Sequence, residues 1–184
     1  MNAGAGAAGA GAGAFLVRPF AAGDAPALHA AVRASLASLS DWVPWCRADY
    51  ALADAQQRSD ACIAAWREDR EYPFAIFDGD TLLGCAGLNQ LDRVAGSANL
   101  GYWVGEAHRG RGVATAAAAQ VAAFGFGELG LVRIEIRVLP ENAASLGVAR
   151  RLGAVREAVL PGGIEFQGRR ADAVLFSLSA GDQA

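Results

Sequence analysis

The sequence predicts a mixed α/β fold, with a central, mostly antiparallel sheet flanked by helices. Three observations carry that expectation. Apolar residues recur at helical spacing in some stretches and alternate at strand spacing in others, giving the order β-α-α-β-β-β-α-β-α-β-β. Short turns separate the middle strands, and connections that short join antiparallel neighbours. A glycine-bearing loop then leads into an alanine-rich helix that crosses over to a further strand.

Residues 15–19 read as the first strand, cut short by Pro19. Asp24 can cap a helix that carries Pro26 in its first turn and runs to residue 38, with Leu28, Val32, Leu36 and Leu39 on one face. Trp42-Val43-Pro44-Trp45 follows as a rigid aromatic loop, and a second helix spans residues 52–70, with Ile63 and Trp66 inward. Strands at 72–77, 81–91 and 98–104 are divided by Asp78-Gly79-Asp80 and by a turn at 92–96. In the last of these, Leu100, Tyr102 and Val104 face one way, and Gly101 and Trp103 the other. A helix at 113–126 ends before Gly127 and Gly130. The strand at 131–139 alternates Val132, Ile134, Ile136 and Val138 with Arg133, Glu135 and Arg137, so it is half exposed or lines a cleft. Pro140 stops it. A helix at 143–152 closes on Gly153. Strands at 155–160 and 173–178 finish the chain, joined through Pro161-Gly162-Gly163 and a polar segment.

The 184 residues suit one domain with a sizeable core, and 53% apolar content marks a globular chain. Residues 1–14 are a Gly/Ala run expected to form a flexible tail, 15–179 a single domain, and 180–184 a C-terminal tail. The net charge of −3 argues against general nucleic-acid binding. No stretch resembles a signal peptide or is long enough to span a bilayer, so a cytoplasmic protein with no membrane partner is expected, as a monomer or homodimer. Cys46, Cys62 and Cys85 match no metal or redox spacing, and His29 and His108 are isolated, so no metal is expected.

The stretch 102–115 organises the chemistry. A strand, a glycine loop and a helix start make an anion cradle, because the first helical N–H groups have no partner within the helix. Arg109 and Arg111 add positive charge. A Walker loop is excluded because the required lysine is missing. A dinucleotide fingerprint fits poorly: Gly110, Gly112 and Thr115 give G-x-G-x-x-T, and Glu135 sits mid-strand rather than at a strand end. The pattern Arg/Gln-x-x-Gly-x-Gly/Ala fits Arg109-Gly110-Arg111-Gly112-Val113-Ala114. That stretch resembles the pyrophosphate loop of the GCN5-related N-acetyltransferases (GNATs). Asn142-Ala-Ala-Ser145 and Leu152-Gly153 resemble the same family's helix start and helix end, with Ala154 in place of the usual aromatic. The opening Val17-Arg-Pro, the Trp-x-Pro-Trp loop and Gln167-Gly-Arg-Arg-Ala-Asp172 are similar to the ribosomal-protein N-terminal acetyltransferase branch, the RimJ/RimL type.

The resemblance implies a GNAT-like acyl-CoA N-acyltransferase fold and direct acetyl transfer from acetyl-CoA to a primary amine. The best expectation for the acceptor is a protein or peptide N-terminus; a small-molecule amine and a non-catalytic acyl-CoA sensor are the alternatives. Arg109, Gly110, Arg111, Gly112, Val113, Ala114 and Thr115 would hold the phosphates. The Trp103–Val104 edge would pair with the pantetheine arm and supply an oxyanion-holding N–H. Asn142 would organise the helix start or bind that arm. Glu135 is the candidate base, and Ser145 the donor to the leaving thiolate. Trp42, Trp45 and Tyr102 would wall the acceptor site.

Overall fold

The computed structural model describes residues 15–43 and 45–183; the expected tail at 1–14 lies outside them, as do Pro44 and Ala184. Its centre is a seven-stranded sheet in the order β1-β2-β3-β4-β5-β7-β6. The strands are β1 Leu16–Pro19, β2 Tyr72–Asp78, β3 Thr81–Asp92, β4 Ser97–Val104, β5 Arg133–Val138, β6 Val155–Phe166 and β7 Arg169–Ser179. All neighbours are antiparallel except β4 and β5.

The helices are α1 Ala25–Ala34, α2 Leu36–Leu39, α3 Leu52–Arg67, α4 Val113–Gly127 and α5 Ala143–Arg151. Alternation along the strands sends side chains to opposite faces and builds two cores. One core joins Leu88, Leu100, Ile134 and Ile136 to Val113, Ala117 and Val121 of α4. The other joins Ala75 and Phe77, with Cys85 and Trp103 at its margin, to Leu28 and Val32 of α1 and Ala55 and Cys62 of α3.

Three expectations need correction. The helix expected over 24–38 breaks at Ser35, whose backbone is not helical. Ser35 is buried, and its hydroxyl accepts the Glu106 N–H at 2.9 Å, which fixes the chain just after β4. The polar segment expected between the last strands is itself strand. Pro161–Gly163 falls inside β6, where the register shifts between Leu160 and Ile164. The turn is Gln167-Gly168, both at positive φ (49° and 71°), the demand of a two-residue hairpin. The expected C-terminal tail begins as a 3-10 turn over Ala180–Gln183, with the Ala180 N–H donating to the Val132 carbonyl.

Candidate active site

Among the described residues, β4 and β5 are the only parallel neighbours, and they stay paired for three residue pairs: Ser97–Arg133, Ala98–Ile134 and Asn99–Glu135. Beyond Asn99 the strands part. The gap is a cleft of about 870 Å³ walled by Leu100–Val104 on one side and Ile136–Leu139 on the other. Main-chain groups on the parted edges have no ladder partner in the sheet, so they are available to an extended ligand.

At one end of the cleft lies the glycine loop. Gly110 (φ 74°) and Gly112 (φ 78°) are left-handed, and a Cβ at either would meet nothing within 4 Å. The glycines are therefore required by conformation rather than by crowding. Gly112 caps α4, and the Ala116 N–H closes the first turn on its carbonyl. The N–H groups of Val113, Ala114 and Thr115 are thus outside the helical ladder, where the helix dipole favours an anion. Arg109 lines the cleft and its guanidinium donates to the Ser38 carbonyl. Arg151, from α5, donates to the Thr115 hydroxyl at 3.3 Å. This rim of backbone donors and two guanidinium groups fits a phosphate-bearing ligand.

At the inner end, Asn142 caps α5: its Oδ1 accepts the Ser145 N–H at 3.0 Å. The Asn-x-x-Ser spacing is thus a capping geometry that sets Ser145 in the first turn, on the cleft. Tyr102 links β4 to α5 by donating its hydroxyl to the Ser145 carbonyl at 3.1 Å. Burial pushes the Tyr102 phenol well above its ordinary range, so it stays a proton donor.

The cleft gathers Trp42, Tyr102, Trp103, Val104, Arg109, Gly110, Gly112, Val113, Ala114, Thr115, Asn142 and Ser145. Three expected site residues lie outside its lining. Arg111 is exposed to solvent. Trp45 packs against Trp103 and Tyr50, and the Arg58 guanidinium stacks over it at 3.9 Å. Glu135 is clamped between Arg133 and Arg137, which donate to its two oxygens at 3.3 Å and 2.9 Å. Both carboxylate oxygens are thus engaged by guanidinium donors, outside the cleft lining. The one carboxylate among the lining residues is Glu165, on the β6–β7 hairpin with Ile164 and Phe166. Sequence reading missed it by treating residues 161–172 as loop; the alternation on either side of Gln167-Gly168 was the available signal.

A sequence model described as an acetyltransferase (GNAT) domain matches residues 15–155. The chain belongs to this family. Among curated relatives, an N-acetyltransferase of Bacillus licheniformis with no assigned role, p20, is 34% identical over 107 residues, 58% of this chain and 60% of that protein. The chain therefore aligns with about three fifths of that relative. Among solved structures, a Vibrio cholerae protein named for ribosomal-protein-serine acetyltransferase is 30% identical with a TM-score of 0.81, covering 90% of this chain and 93% of the other. Mycobacterium smegmatis RimJ, solved in complex with CoA-disulfide, is 28% identical with a TM-score of 0.79, covering 92% and 83%. These GNAT matches agree with the observed mixed sheet. Among the described residues no helix is long and apolar enough to cross a membrane, and no group of three or more His, Cys, Asp and Glu is gathered for a metal.

Proposed function

We propose that this GNAT chain is an acetyl-CoA-dependent N-acetyltransferase whose acceptor is the α-amine of a protein or peptide N-terminus. The observation that carries the reading is the parting of β4 and β5, with a phosphate-fitting loop and Ser145 both lining the gap. Acetyl-CoA, when bound, supplies an activated acetyl group as a thioester. The α4 N–H groups, Arg109 and Arg151 hold its phosphates, and the open edge at Trp103–Val104 pairs with its amide-bearing arm.

Glu165 takes the proton of the incoming ammonium group, directly or through water, and the Ser145 hydroxyl donates a hydrogen bond to the departing sulfur. An α-amino group has a reference pKa near ~8 against ~10.4 for lysine, so the former demands much less of its proton acceptor. The likeness to a protein named for ribosomal-protein-serine acetyltransferase supports the same acceptor class.

The test is a pair of peptides, one with a free N-terminus and no lysine, the other N-terminally blocked with an internal lysine. Acetyl addition to the first, read by mass spectrometry, is expected; faster labelling of the second overturns the acceptor. The chain itself contains no lysine, so its own side chains add no background. Labelling of neither, with spermidine labelled instead, points to a small-molecule amine.

A further inference from the structure

The sheet face opposite α4 carries an amide that the proposed cofactor contacts do not use. Asn89 and Asn99 oppose each other across β3 and β4, and Asn99 Nδ2 donates to Asn89 Oδ1 at 3.0 Å. The other end of the Asn99 amide, Oδ1, is buried and has no hydrogen-bond partner among the described residues. A buried amide oxygen left in that state is costly, and a donor brought to it recovers the cost. Asn99 lines the cleft at the point where β4 and β5 part, beside Glu135 in the ladder. Next along the same face is Gly101, where an added Cβ would come no closer than 3.6 Å to Asn89 Nδ2. With glycine there, no side chain rises from the floor beyond Asn99, which leads to Trp103, also on the cleft.

We infer that Asn99 is a specificity-determining residue: its Oδ1 receives a hydrogen bond from the acceptor's amine and points that amine at the gap between the strands. The inference deepens the proposed function and rests on it. A primary amine suits the position because it carries several N–H donors, whereas carboxylate or phosphate oxygens offer only acceptors to an acceptor. The bare floor over Gly101 accommodates the chain that follows the amine.

The experiment separates binding from chemistry. A seryl hexapeptide with a free N-terminus is titrated by calorimetry into protein saturated with coenzyme A. Asn99→Leu should weaken the peptide about tenfold or more, with coenzyme A affinity unchanged. Asn99→Asp, which keeps an acceptor oxygen, should retain peptide binding. Asn89→Ala breaks the same amide–amide bond but spares Oδ1, and should stay within about threefold. Asn99→Ala replaces the leucine variant if a thermal melt shows that variant unfolded. Equal losses in Asn99→Leu and Asn89→Ala would reduce Asn99 to a structural clasp, and loss in Asn99→Asp matching the leucine would remove the acceptor role; either result overturns the inference. Failure of the α-amine reading shows elsewhere, as wild-type turnover of spermidine but not of the peptide, and the same variants are then titrated with spermidine. Wild-type protein that binds neither amine overturns the inference.

Discussion

The two faces of the sheet are packed on different terms. Under α4 the contact is close and apolar: Val113, Ala117, Ala118, Val121, Ala122 and Gly125 are buried, and a Cβ at Gly125 would stand 2.9 Å from Leu88 and 3.0 Å from Ile134. Across the sheet, α1 and α3 meet the strands through larger and more varied groups, among them Tyr50, Cys62 and Trp103. Tyr50 Oη, Trp103 Nε1 and Asn99 Oδ1 all lie on that side, buried without hydrogen-bond partners among the described residues. The first face fixes one geometry beside the glycine loop. The second keeps hydrogen-bonding capacity in reserve, which the proposed acceptor site would draw on.

The sharpest break in this contrast comes at the start of α4. Gly112→Asp forces a side chain into a left-handed backbone and sets a carboxylate at the anion site. Coenzyme A affinity, measured by calorimetry, should fall on the order of a hundredfold. Ser145→Ala should instead lower turnover while leaving that affinity near wild type; an equal loss of affinity would make Ser145 a cofactor ligand.

Packing alone gives a second comparison. Gly125→Leu should destabilise by about 1–3 kcal/mol, read from urea midpoints, because Leu88, Ile134 and Leu131 must move. Gly101→Ala should stay within about 0.5 kcal/mol, because its Cβ would meet only Asn89 Nδ2, at 3.6 Å. Similar losses in the two variants would erase the distinction between the faces.

A smaller effect is pH-dependent. The Arg133 guanidinium, through two hydrogen bonds, and the Ser177 hydroxyl hold the Glu157 carboxyl down to about 2. A depressed carboxyl stabilises the fold above its unfolded pKa of ~4.3, and that contribution fades as pH falls toward 2. Glu157→Gln should therefore melt lower than wild type at pH 7, with the difference closing in acid. The pair is partly exposed, so the effect is modest.

The smallest expected change is none. No cysteine lines the cleft, and burial raises all three thiols, Cys46 to about 11. Incubation with CoA disulfide should leave the intact mass unchanged; a mixed disulfide would show that the α1–α3 side opens.

The face with regular packing was also the legible one. The Arg-x-x-Gly-x-Ala loop, the alanine stripe of α4 and the alternation of β5 reflect local rules, and each lies where the sequence put it. Asn142 and Ser145 were readable for the same reason: capping acts over one helical turn. Trp45 and Glu135 were misplaced because their partners, Trp103 and Arg58 for one and Arg133 and Arg137 for the other, compete with the cleft for them. Local pattern does not rank such competitors. Asn99 gave no signal at all, since an unpaired amide oxygen exists only once Asn89 has taken the other end. The break at Ser35 is likewise non-local, set by a hydrogen bond to Glu106 far along the chain.

The three-pair seam between β4 and β5 has a consequence for cooperativity. β1–β4 and β5–β7 are each continuous ladders, yet the seam joining them is shorter than either. Amide hydrogens along Leu100–Val104 and Ile136–Val138 that face the gap exchange with water through local fluctuation alone, without unfolding of the domain. A strand-like ligand laid in the gap supplies the missing row of hydrogen bonds and couples the two ladders into one unit. Deuterium uptake at those amides then falls with ligand occupancy, while the rest of each ladder, already protected, reports nothing.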